Sequence, residues 1–142
     1  MKVTLVKPWA GWSNLKISDG EKEFSGRLSL IQSVPSIFLS KFNRFILGDD
    51  VVMQFDEEGT DFIVVMCQYD YLKVIVERQK SELIEFNIWS DEIIEPICNS
   101  IAENLDDWAW FDANDQTEFE ENKKYILKNI EPILEWCKNR KQ

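Results

Sequence analysis

Carboxylates and thiols are the reactive side chains this sequence offers, because it has no histidine at all. That removes the commonest general base and the commonest metal ligand. It also rules out a Ser-His or Cys-His nucleophile pair, and no GxSxG elbow is present. Neither GxxxxGKS/T nor GxGxxG occurs, so no loop is written to cradle phosphate. Cys67, Cys98 and Cys137 stand far apart in apolar stretches, with no CxxC spacing. Buried free thiols in a reducing cytoplasm are the expectation. Among the acids, Asp112, Asn114, Gln116, Glu118 and Glu120 copy the alternate spacing of a calcium loop. Thr117 stands where that loop requires glycine, however, and Lys123 where it requires a bidentate glutamate. Glu92 and Glu95 lie three apart on one helix but lack the histidines that complete such metal sites. Paired carboxylates alone would support glycosidase-type acid/base chemistry, yet nothing in the spacing selects a pair. The expectation is a chain with no metal, no cofactor and no catalytic residues.

What the acids can do is attract a cation. The balance of 16 basic against 26 acidic side chains leaves a net charge of −10. A phosphate-binding protein would carry the opposite balance, so nucleic acid is not the expected partner. Eight acids and no Lys or Arg fall in the stretch from Glu103 to Asn122. Within it lie Trp108, Trp110 and Phe111, which cannot all face inward on one helix. Aromatic anchors ringed by carboxylates suit an interface with a basic protein. The expected contact residues are Asp106, Asp107, Trp110, Asp112, Asp115, Glu118 and Glu121. A second acidic cluster, Asp56, Glu57, Glu58 and Asp61, is a further candidate for the same role; its carboxylates could also hold a divalent ion, although a solvated hairpin turn is the stronger reading.

The elements that must position these residues follow from periodicity. Val3 and Leu5 start a short strand, Trp9-Ala10-Gly11-Trp12 forms an aromatic turn, and Leu15 and Ile17 begin another strand closed by Asp19-Gly20. Phe24, Gly26, Leu28, Leu30 and Val34 share one parity, as in a half-buried antiparallel strand. Pro35 ends it, Ser36 can cap a helix, and Phe38, Phe42, Phe45 and Ile46 make one helical face up to Gly48. Strands are expected over 51–55, 62–67, 72–77 and 83–88, with turns at Tyr69-Asp70-Tyr71 and Gln79-Lys80-Ser81. Ser90 can cap a helix carrying Ile93, Ile94, Ile97, Ile101 and Leu105, in which Pro96 predicts a kink. Thr117 and Glu120 have capping-box spacing for a last helix with Ile126, Ile130, Ile133, Leu134 and Cys137 on its apolar face and a kink at Pro132. The fold class expected is α+β: an antiparallel meander sheet of about five to seven strands packed against two to three helices. One domain over 1–142 is expected, strand-rich over 1–89 with a helix at about 36–47, and helical over 90–142. Residues 1–15 carry no signal-peptide pattern, and no apolar run is long enough to span a membrane.

The order of these pieces resembles a known group. The helix at Phe38-Leu39-Ser40-Lys41-Phe42, the strands Val51–Phe55, Phe62–Val65, Leu72–Val76 and Leu83–Ile88, and the helix from Asp91 to Ile97 resemble small immunity proteins of bacterial polymorphic-toxin and contact-dependent growth inhibition systems. The resemblance covers roughly residues 14–108 and is one of pattern, without an invariant motif. It implies a cytoplasmic protein, a monomer for preference, that binds and neutralises a cognate toxin domain, often a nuclease, and has no catalytic residues of its own. An acidic nucleic-acid mimic is the alternative reading, and a carboxylate-dependent enzyme a more distant one.

Overall fold

The computed structural model describes residues 2–68, 73–78 and 82–141. The turns expected at 69–71 and 79–81 lie outside the described residues. The class is α+β with antiparallel pairing throughout. Strands β1 (Lys2–Leu5), β2 (Trp12–Ser18) and β3 (Glu23–Ser29) form one three-stranded meander. After helix α1 (Val34–Ile46), strands β4 (Val51–Asp56), β5 (Asp61–Met66), β6 (Lys73–Arg78) and β7 (Glu82–Asn87) form a second, four-stranded one. Helices α2 (Ser90–Glu103), α3 (Leu105–Trp110) and α4 (Gln116–Arg140) complete the described chain. Helix α1 lies on β4 and α2 on β1, while α4 packs against the other three helices. No described helix is long and apolar enough to cross a membrane.

The alternation read from the sequence explains the strands. In β2 and β3, Leu15, Ile17, Phe24, Gly26 and Leu28 point inward, with Leu15 opposite Gly26 and Ile17 opposite Phe24. Glycine at position 26 serves a close approach between the sheets. A Cβ there would stand 2.5 Å from the Phe62 ring, well inside contact distance. An aromatic chain then crosses the core: Phe24 meets Phe62 edge-on at 5.0 Å, Phe62 meets Phe55 at 5.2 Å, and Phe55 meets Phe38 on α1 at 5.0 Å. The helical Phe stripe is therefore core, as its spacing indicates.

Several expectations need correction. The expected single meander is two sheets, because no backbone ladder joins β3 to β4. A side chain takes its place: the Glu57 carboxylate accepts from the Arg27 N–H at 3.0 Å. Among the described residues there are four helices instead of two or three. Strand β3 stops at Ser29, leaving Leu30 and Ile31 exposed, and α1 starts at Val34 behind Ser33. Pro35 does not end a strand here. It sits in the first helical turn, where a missing N–H and a fixed φ carry no penalty. The chain breaks at Asn104 (φ −120°), so the stripe from Ile93 to Trp108 is shared by two helices. Helix α2 is capped from Trp89, whose N–H donates to the Glu92 carboxylate at 2.9 Å, and Ser90 is its first residue. Helix α4 is capped by Asp115, which accepts from the Glu118 N–H at 2.9 Å, so the Thr117/Glu120 capping box is not the one used. The spans of α2 and α4 run through Pro96 and Pro132 respectively.

Candidate functional site

The turn between β4 and β5 carries Asp56, Glu57, Glu58 and Asp61, the second cluster expected to meet a partner. One of them turns into the protein, while Glu58 stays exposed and Asp56 and Asp61 are half-buried. Glu57 is only 3% exposed. Besides Arg27, it accepts from the Thr60 hydroxyl at 2.8 Å. Its carbonyl accepts from the Arg27 guanidinium at 3.3 Å. Glu58 accepts from the Ser29 hydroxyl at 2.5 Å, Asp56 from the Glu58 N–H at 2.7 Å, and Asp61 from the Gln54 amide at 3.0 Å. Glu57 and Glu58 thus bond across to β3 and help join the two sheets, whereas Asp56 and Asp61 bond within their own hairpin. Sequence alone cannot show this, because an acidic turn has the same composition whether it is solvated or clasped.

The acidic stretch before and inside α4 divides by role. Asp106 and Asp107 occupy the first turn of α3, where the positive helix end favours carboxylates. Asp106 pairs with Lys123 at 3.0 Å and Asp107 with Lys7 at 3.5 Å, all four side chains being substantially exposed. Pairs this open to water hold weakly. Asp115 is spent on the cap of α4, and Glu118 accepts from the Asn114 side-chain amide at 3.2 Å. Asp112 departs from expectation. It is half-buried and accepts from the Asn122 amide at 3.1 Å, and burial holds its carboxyl above the usual range against the hydrogen bond from Ser33. Glu121 is exposed on α4. The structure thus leaves Asp106, Asp107, Asp115 and Glu121 exposed, with Asp115 engaged in the cap, half-buries Glu118, and draws Asp112 inward.

The three neighbouring aromatics separate as the helix geometry requires. Trp108 is fully buried and Phe111 nearly so, their rings 5.1 Å apart. Trp110 stays 45% exposed and stacks on Phe119 at 4.4 Å. A cleft of about 210 Å³ opens beside it, lined by Asp107, Trp110 and Phe111 on one side and by Pro8, Trp9 and the Ala10-Gly11 turn on the other. Trp9 is 82% exposed. Trp9 and Trp12 exchange both backbone hydrogen bonds, at 2.8 and 3.0 Å, across Ala10 (φ 51°) and Gly11 (φ 82°). Positive φ at both central residues is the tight hairpin turn that follows strand twist. Gly11 is also pressed against Leu30: a Cβ would meet that side chain at 2.3 Å. The Arg27 guanidinium lies over the Trp12 ring at 5.1 Å. Trp9 and Trp12 belong to this surface and were not among the residues expected to meet a partner. The signal available was the Trp-Ala-Gly-Trp turn itself, an apolar pair at a position where turns carry polar residues.

The arrangement can bind, through exposed indole faces and a carboxylate at the rim of a cleft. Among the described residues no group of three or more Cys, Asp or Glu side chains gathers to hold a metal ion. Cys98 and Cys137 are buried, and burial pushes the Cys98 thiol far above its usual range, which suppresses nucleophilic reactivity. Comparison of the chain with known protein families, with characterised proteins and with solved structures returns no match.

Proposed function

We propose that this protein acts by binding a basic protein, as an immunity protein that neutralises a cognate bacterial toxin domain in the cytoplasm. The observation that carries the reading is the cleft where exposed Trp9 and Trp110 meet the Asp107 carboxylate. Large aromatics held in water next to charge are the usual anchors of protein interfaces. The net charge of −10 would steer a cationic toxin, such as a phosphate-binding nuclease, toward this chain. Asp106 and Glu121 add exposed negative charge in this reading, and the β4–β5 turn acids Asp56, Glu57, Glu58 and Asp61 lie outside it. An evenly spaced phosphate mimic is less favoured, because Asp115 and Glu118 are engaged within α4 and its cap.

The test is association with the toxin domain encoded beside this chain's gene, measured by stopped flow over a salt series. Reversal of Asp106, Asp107 and Glu121 to lysine should slow association by about tenfold or more, and the salt dependence should flatten. Asp112 is left intact because its burial would confound binding with folding. Unchanged association and unchanged protection of cells would remove the acidic surface from the mechanism.

A further inference from the structure

We infer that the cleft between the Trp9–Trp12 turn and α3 is a receptor for one arginine side chain of the partner, its guanidinium lying against the aromatic wall and bonding to Asp107. The inference rests on the reading of this protein as a binder of basic proteins, and it names the group that would be bound. Three observations converge on it. The walls are aromatic, with Trp9, Trp110 and Phe111 lining a cleft of about 210 Å³, and a planar guanidinium stacks on aromatic faces where an ammonium is more strongly held by water. Among the described residues the acidic group on the lining is Asp107. Its present partner, Lys7, stands at 3.5 Å with both side chains about half exposed or more, longer than the roughly 2.7–2.9 Å of a charge-assisted hydrogen bond. That pair is open to exchange for a bidentate donor. Finally, the turn that presents Trp9 is pinned by its two cross-strand hydrogen bonds and by Leu30 packed on Gly11. A large apolar ring held 82% exposed on a pinned turn loses little freedom when a ligand covers it.

The cleft already has the lesser version of the contact elsewhere on the same sheet, where Arg27 lies over Trp12. The Arg27 guanidinium is itself tied to the Glu57 carbonyl, so it is not placed to fill the cleft.

The test uses the full chain labelled with nitrogen-15 and follows the indole N–H signals of its six tryptophans. The probe is the blocked tripeptide Gly-Arg-Gly, with the citrulline peptide as the uncharged isostere. The two indole signals lost in Trp9→Phe and Trp110→Phe should move saturably with the arginine peptide and not with citrulline. Asp107→Asn should weaken binding by about tenfold, and Lys7→Gln should tighten it roughly two- to threefold by freeing the carboxylate. A purely structural role for these residues predicts no gain from Lys7→Gln. Equal response to both peptides, or an affinity indifferent to Asp107→Asn, overturns the arginine site; the remaining indole signals report that each variant is folded. Two further variants, measured with the basic partner, separate the two ideas. If Trp9→Ala leaves partner association normal while Asp106 and Glu121 reversal abolishes it, the arginine receptor falls and the acidic binding surface stands. If neither matters, the binding reading itself falls.

Discussion

Replacing Glu57 with alanine removes the carboxylate that closes the seam between the two sheets. The side chain accepts from the Arg27 N–H at 3.0 Å and from the Thr60 hydroxyl at 2.8 Å, and is 3% exposed. Each hydrogen bond to a charged acceptor is worth about 1.5–3 kcal/mol, and an orphaned buried donor adds its own desolvation cost. Removing a buried charge returns part of this sum. The net expectation is a loss of about 3 kcal/mol. With a urea slope of about 2 kcal/mol per molar, the unfolding midpoint should fall by about 1.5 M. Glu57→Gln keeps the shape and a neutral acceptor, so it should lose only about 1 kcal/mol. Glu121→Ala, an exposed acid on α4, should change stability by less than about 0.5 kcal/mol. Equilibrium urea unfolding followed by tryptophan fluorescence and by circular dichroism measures all three. If Glu57→Ala moves the midpoint no further than Glu121→Ala, the seam does not hold the sheets and the acidic turn returns as a candidate partner surface.

Three further outcomes follow from the packing and the titration behaviour. Gly26→Ala should destabilise by about 1–3 kcal/mol in thermal unfolding, because the added methyl meets the Phe62 ring at 2.5 Å. Burial raises the Asp112 carboxyl, so the folded chain binds that proton more tightly than the unfolded one. Its contribution to stability is complete below the ordinary carboxylate range and is lost as pH rises through the folded value. Asp112→Asn should therefore be neutral or stabilising near pH 7 and remove the part of the melting-temperature profile that falls as pH rises through the carboxylate range, and a sharp loss of stability near pH 7 would contradict this. In thiol labelling of the native protein, half-buried Cys67 should react ahead of Cys98 and Cys137, which should label only once urea unfolds the core.

The local elements were legible in the sequence because their signals are local. The Phe38, Phe42 and Phe45 spacing places one buried face on α1, and the alternation over 51–55 and the apolar run over 62–67 mark two strands, which the structure pairs with Phe55 opposite Phe62. Asp19-Gly20 closes a turn in which Asp19 accepts from the Glu21 and Lys22 N–H groups at 2.9 and 2.7 Å. The absence of histidine and the excess of acid likewise narrow the chemistry before any fold is known. Tertiary structure decided what each acid does. Glu57 and Arg27 lie 30 positions apart, and no periodicity registers a side chain that replaces a strand at a sheet edge. Trp108, Trp110 and Phe111 are close neighbours in sequence, yet only the break at Asn104 and the packing of α3 on α4 decide that two go in and one stays out. The cleft itself joins residues 8–11 to residues 107–111. Hydrophobic pattern reports which face of an element leaves water. It carries no information about which distant element arrives to meet that face, and for this protein that meeting both makes the candidate site and withdraws several of the acids first assigned to it.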